Sequence, residues 1–242
     1  MFTIGHFVWL GVLAAAITVA LIFIKIFSVP PKVVRRVFLV TIVILKLLHL
    51  CLSMKQSSHG GYVINQTQLS FHLCSVMIYL IVLTNVIRNE KLVNTLQSFM
   101  VPCMLIGATM ALLIPTEGVS VVVPRVWQYM LIHGGLVFYG IYLMAFEKAD
   151  LSLRAFVMNL KLLLIVVIAA FLMNSVLEQY GTNFLFLREP PVEGLPLLNL
   201  DRGWFVYFIS LSALACTLLF LVHLPFIVRS LRKKREPLLN TI

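Results

Sequence analysis

The chain has 242 residues, of which 61% are hydrophobic and 12% charged, and its mean hydropathy is +1.01. Soluble domains contain about 45–50% apolar and about 25% charged residues, so the composition excludes a soluble enzyme and a disordered chain. It is typical of a polytopic membrane protein. The net charge of +10 does not indicate a nucleic-acid partner, because basic residues mark the cytoplasmic loops of membrane proteins.

The hydropathy pattern predicts seven membrane-spanning helices. They cover residues 5–27, 33–54, 70–87, 93–114, 124–146, 155–177 and 203–228. Pro30 and Pro31 interrupt the chain between the first two, as expected of a turn. We therefore predict an all-α membrane helix bundle over 1–228, followed by a basic cytoplasmic tail over 229–242.

The distribution of basic residues predicts the orientation of these helices. If the carboxyl end is cytoplasmic, twelve Lys and Arg residues fall in inner segments, four in outer segments and three within spans. Cytoplasmic loops carry the excess of basic residues. The amino terminus is therefore expected outside and the carboxyl terminus inside, in a multi-pass protein of the cell membrane.

Polar side chains from four predicted helices fall at a similar depth, in the outer half of the membrane. They are Lys46, His49, His72, His133, Asn174 and Glu178. Ionisable groups in hydrocarbon are costly and usually mark a site or a pathway. Their shared depth predicts a polar cavity that opens toward the outer leaflet. The alternative is a hydrogen-bonded network that only ties the helices together.

Three kinds of chemistry fit this cluster. The first is acyl transfer by the Cys74 thiol, for which His133, His72 or Lys46 could serve as base. An ideal helix places residues 72 and 74 about 200° apart. Cys74 is then either a reactive group at an irregular helix start or a small core residue, and Ser75 is a competing nucleophile. Metal binding lacks the usual ligand spacing, and proton-coupled transport stays open.

The segment 178–202 is long for a connection between spans, which predicts a lid or a re-entrant piece. Two further features are left open by the sequence. Cys51 and Cys74 both lie near the predicted outer surface and could pair. Asn65 begins an Asn-Gln-Thr glycosylation pattern, which matters only in a eukaryotic secretory membrane.

Four segments resemble motifs of the YwaF-like integral membrane family. Residues 69–76, Leu-Ser-Phe-His-Leu-Cys-Ser-Val, resemble its LPxHLC motif, with Ser70 in place of the proline. Residues 107–115 resemble its GxxxALxxP segment, and His133 resembles its fifth-helix histidine. Residues 181–190 resemble its GTNYMFLxxP element, with Phe184 in place of the tyrosine. The resemblance implies a core of six or seven helices.

A eukaryotic branch of that family is similar to a transmembrane acyltransferase that moves fatty acyl groups between phospholipids and lysophospholipids. A cysteine thioester and a histidine are proposed there, and the matching positions here are Cys74 and His133. A more distant branch resembles threonine–histidine lipid-ester hydrolases, whose nucleophile has no matching position in this chain.

The resulting hypothesis is a lipid acyltransferase or lipid-ester hydrolase that acts at the outer leaflet on membrane phospholipids or lysophospholipids, without metal or cofactor. Its catalytic residues would be Cys74, His133 and His72. The expected substrate-binding residues are Lys46, His49, Ser75, Asn174, Glu178 and Asn183. The alternative is a non-enzymatic lipid or solute transporter, or a binding subunit, that uses the same cavity.

Overall fold

A computed structural model describes residues 3–56, 61–69, 71–192, 194–195 and 198–239, with side chains left out at 55, 56, 68 and 233–239. Within these residues the chain forms seven α-helices. They are α1 (Ile4–Ile26), α2 (Pro31–Leu52), α3 (Leu73–Val86), α4 (Glu90–Leu113), α5 (Pro124–Ala145), α6 (Leu153–Val176) and α7 (Trp204–Leu239). The all-helical prediction is confirmed, and each predicted span overlaps one of these helices.

Local sequence explains where several helices begin. The side chains of Asn89 and Ser152 accept hydrogen bonds from backbone N–H groups in the first turns of α4 and α6. Such caps satisfy donors that the helix itself leaves unpaired. Pro31 and Pro124 occupy the first positions of α2 and α5, where a missing N–H costs nothing. The helix α7 continues past residue 228 to Leu239, so the predicted start of the tail lies inside it.

Four helices in the described part of the chain are long and apolar enough to cross a membrane. They are Ile4–Ile26, Glu90–Leu113, Leu153–Val176 and Trp204–Arg232. The protein is thus a multi-pass membrane protein. The other three helices, α2, α3 and α5, differ from these four in length or polarity. The helix α3 has only 14 residues, α2 carries several basic side chains, and α5 carries Arg125, Gln128 and His133 in its first half.

The helix α4 lies at the centre of the bundle. It packs against α3, α5, α6 and α7, while α5 in turn packs against α1 and α2. The side chains of Ile42, Met77, Met100, Met104 and Leu136 are fully buried between these helices. This central position explains why α4 is far more buried than the other three apolar helices.

A short hairpin follows α2, in a segment for which the sequence predicts only an outer loop. The strand β1 (Met54–Gln56) pairs antiparallel with β2 (Tyr62–Ile64). A turn over 66–68 then leads to the start of α3. Ser70, the departure from the family motif, lies outside the described residues.

A buried polar network joins the helices at the end of the bundle where α2 begins and α5 ends. Arg35 forms a two-pronged ion pair with Glu147, and Gln97 also donates to this carboxylate. Nearby, the Asn159 amide donates to the Ser98 carbonyl at 2.9 Å and contacts the ring of His223. The sequence predicts little polarity here beyond Asn159 and Lys161, and it suggests no partner for His223.

Candidate functional site

A cavity of about 610 Å³ lies at the opposite end of the bundle, where α2 ends and α3 begins. Its volume falls within the roughly 300–1,000 Å³ typical of ligand pockets. The cavity brings together six of the nine predicted site residues. They are Lys46, His49, His72, Cys74, Ser75 and His133. Side chains from α2, α3 and α5 that are far apart in sequence therefore face a common space.

The start of α3 explains how His72 and Cys74 reach the same cavity. His72 is the N-cap of α3, with an extended backbone (φ −69°, ψ 149°), and the helix itself begins at Leu73. The angular spacing of an ideal helix therefore does not apply between residues 72 and 74. Cys74 is half-buried, and both side chains line the cavity.

Lys46 and Ser75 form a direct contact between α2 and α3. The Lys46 ammonium donates to the Ser75 hydroxyl oxygen at 3.1 Å, and the lysine is only 8% exposed. One turn further along α2, His49 Nδ1 contacts the amide oxygen of Gln128 at 3.3 Å. The cavity thus contains the ammonium group of Lys46, hydrogen-bonded to the Ser75 hydroxyl. An anionic oxygen or an ester oxygen could bind beside it.

His133 has a defined tautomer because of its position on α5. Its Nδ1 lies 2.7 Å from the carbonyl oxygen of Tyr129, one turn earlier. A carbonyl can only accept a hydrogen bond, so Nδ1 carries the proton and Nε2 holds the lone pair. The ring also packs against the Tyr129 ring at 4.2 Å. These contacts hold the imidazole in the form that a general base requires.

The long segment 178–202 covers one side of the cavity. Its residues Leu185, Phe186, Pro191, Leu195 and Leu198 line the space. The ring of His72 packs against Phe184 and Phe186, with centroid distances of 5.5 and 5.3 Å. Leu185 and Phe186 both have positive φ, 57° and 55°. Residues other than glycine rarely adopt this backbone conformation unless surrounding contacts impose it.

The other three predicted site residues order this segment, and none is among the described residues that line the cavity. Asn174 exchanges two hydrogen bonds with the backbone of Phe184, at 2.7 and 3.0 Å. Glu178 forms an ion pair with Arg188. The side-chain oxygen of Asn183 accepts a hydrogen bond from the backbone N–H of Arg188 at 3.0 Å. Its side-chain nitrogen donates one to the backbone carbonyl of Glu189 at 2.9 Å.

Replacing Asn174 by leucine should destabilise the protein by about 2–4 kcal/mol. Both backbone groups of Phe184 would lose their partner, and each unsatisfied buried group costs about 1–3 kcal/mol. Thermal unfolding in detergent measures this effect. The matched control is Ser175→Ala, next along α6, because Ser175 is exposed and bonds only within its own helix. Equal unfolding temperatures for the two variants would contradict the anchoring role of Asn174.

Several cavity residues were missed by sequence reasoning. Gln128 is 4% exposed and lines the cavity beside His49. An amide within a predicted span is a usable signal, but a weaker one than an ionisable group, whose cost in hydrocarbon is larger. Glu117 also lines the cavity, and Arg125 pairs with it at 2.6 and 2.9 Å. Gly107 on α4 has no polar group that would have marked it.

The four cysteines are all unpaired. Cys51 is exposed, while Cys74 is half-buried in the cavity wall, so the disulfide left open by the sequence is not formed. Among the described residues, no group of three or more His, Cys, Asp or Glu is placed to hold a metal ion. The described lining of the cavity contains a thiol, imidazoles, a lysine, a carboxylate and several hydroxyls.

Comparison with known proteins identifies the family of the chain. A family model described as the TMEM164 family matches residues 1–223. No curated protein matches the chain, and neither does any solved structure. The match spans α1 to α6, the first part of α7 and all the described residues that line the cavity. The chain therefore belongs to the TMEM164 family, a family of transmembrane proteins.

Proposed function

We propose that the protein is a lipid acyltransferase or lipid-ester hydrolase that uses Cys74 as nucleophile and His133 as base. The observation that carries the proposal is the shared cavity of these two side chains. Its polar end also contains Lys46 and His72, and its other walls are mainly apolar. Such a space suits a lipid ester, which has a polar headgroup next to long hydrocarbon chains. The resemblance to the YwaF-like family supports the same two residues.

The reaction would proceed in two steps. His133 Nε2 takes the proton of the Cys74 thiol, and the sulfur attacks the ester carbonyl carbon of a phospholipid. The carbon–oxygen ester bond breaks, and the leaving alcohol oxygen takes the proton from His133. In the second step, the hydroxyl of a lysophospholipid gives its proton to His133 and attacks the thioester. The sulfur leaves and regains the proton. Water in place of the lysophospholipid gives hydrolysis.

Negative charge develops on the carbonyl oxygen in both steps and needs a fixed donor. We assign this role to Lys46, oriented by its 3.1 Å hydrogen bond to Ser75, with His72 as a second candidate. Preorganised donors of this kind contribute the largest single share of catalysis in many acyl-transfer enzymes. Asn174, Glu178 and Asn183 would contribute indirectly, through the position of the covering segment.

All seven helices are proposed to cross the membrane, with the amino terminus outside and the tail cytoplasmic. The polar side chains that helices supply to the cavity come from the short helix α3 and from the more polar helices α2 and α5. A helix that faces a polar cavity on one side has a lower mean hydropathy than one surrounded by lipid. The proposal places the cavity at the outer leaflet of the cell membrane.

The test is to trap the covalent intermediate. Purified protein is incubated in phosphatidylcholine vesicles with radiolabelled acyl chains, and label on the peptide that contains Cys74 is located by mass spectrometry. We expect acylation that neutral hydroxylamine removes, in the wild type and in the control Cys51→Ala, and none in Cys74→Ala. Acyl exchange at the wild-type rate in Cys74→Ala would overturn the proposal. Lipid binding or flux without acyl exchange would favour the transporter or binding-subunit alternative.

A further inference from the structure

The helix α7 supplies an apolar wall to the cavity. Leu211, Leu214, Ala215 and Leu218 all line it, and their spacing of three and four residues places them on one face of the helix. Leu214 is also 38% exposed. We call these four residues the α7 wall. It is entirely aliphatic and belongs to a helix that is long and apolar enough to cross a membrane.

Gly107 controls the space directly beside the thiol. It lies on α4 and lines the cavity between Cys74 and the apolar part. A Cβ added at this position would be 3.8 Å from Cys74 Sγ and 3.3 Å from Leu73 Cδ2. The second distance is tighter than usual, so a side chain at 107 would require Leu73 to shift by a few tenths of an ångström.

We propose that the α7 wall holds the hydrocarbon chain of the acyl group and that Gly107 leaves room for its first carbons beside Cys74 Sγ. The α7 wall consists of aliphatic side chains, so a hydrocarbon chain that enters this site from the membrane interior exchanges one apolar environment for another. The narrow space at Gly107 admits a linear chain but not a fused ring system. This inference rests on the proposed function for its chemistry, but the site can be tested without that activity.

The test uses the thiol itself as a reporter of the site. Full-length protein in detergent is treated with N-alkylmaleimides that carry methyl, hexyl or dodecyl chains, and labelling of Cys74 is followed by mass spectrometry. Ala215→Phe narrows the α7 wall and should slow dodecyl labelling at least tenfold, while methyl labelling stays within twofold of the wild type. The control is Ala213→Phe, on the exposed side of the same helix, which should label as the wild type does.

A second pair of variants tests the space beside the thiol. Gly107→Ala should slow hexyl and dodecyl labelling at least fivefold. Gly135→Ala is the matched control, because its new Cβ would make an ordinary 3.5 Å contact with Phe38. If Ala215→Phe and Ala213→Phe show the same dependence on chain length, the α7 wall is not the chain site. A clear dependence in a protein without acyl exchange would support the site and reject only the proposed function.

Discussion

Replacing His133 by alanine is expected to lower the rate of acyl exchange by about 10²–10⁴-fold, the usual contribution of a positioned general base. The hydrogen bond from Nδ1 to the Tyr129 carbonyl keeps the proton off Nε2, so the wild-type imidazole needs no rearrangement before it accepts the thiol proton. The measurement is transfer of labelled acyl chains from phosphatidylcholine to lysophosphatidylcholine. Methylmaleimide labelling of Cys74 should slow in parallel, because the thiolate is the reactive form.

The control for this variant is Leu131→Ala on the same helix. Leu131 is 42% exposed and is not among the described residues that line the cavity, so its loss should leave exchange and labelling near their wild-type rates. A folded His133→Ala protein that retained at least a third of the wild-type exchange rate would show that another group takes the proton. Lys46 and His72 would then be the next side chains to replace.

Replacing Glu147 by leucine is expected to lower the free energy of unfolding by about 2–3 kcal/mol. The variant leaves Arg35 without its partner at the end of the bundle where α2 begins, and it removes an acceptor of Gln97. Breaking a fully buried ion pair costs about 3–5 kcal/mol, and the Arg35 side chain is 34% exposed, which reduces the effect. The unfolding temperature in detergent should fall by about 4–10 °C.

A double variant separates the charge effect from simple loss of packing. Arg35→Leu combined with Glu147→Leu removes both charges, so it should recover at least half of the lost stability. Lys91→Leu, an exposed basic residue at the start of α4, serves as the control for surface charge. An additive loss in the double variant would mean that the two side chains contribute independently and that their pairing is not important for stability.

The positions of the helices could be predicted from the sequence because apolar runs of about 20 residues have few alternatives in a membrane protein. The start of α3 could not be predicted from the sequence. It depends on the extended backbone of His72 after a turn in which the Phe71 N–H bonds to the Leu69 carbonyl. Histidine and phenylalanine are not typical of a helix cap. The sequence alone therefore does not decide whether Cys74 faces the cavity.

The sequence predicts how far along each helix the site residues lie, but not the direction in which their side chains point. Counting residues along each span gives depth, because the rise per residue is constant. It does not show which way a side chain points around the bundle. Asn174 lies near the end of α6, which packs against the covering segment, so its amide binds Phe184. His133 and Gln128 of α5 both line the cavity.

The shortness of α3 has a consequence for the surrounding bilayer. Its 14 residues rise about 21 Å, whereas the hydrocarbon layer is about 30 Å thick. In the proposed seven-span arrangement, lipids would respond to such hydrophobic mismatch by thinning locally around α3. Headgroups beside α3 would therefore sit deeper than elsewhere, and a glycerol ester would meet the first turn of the helix without being lifted out of its leaflet.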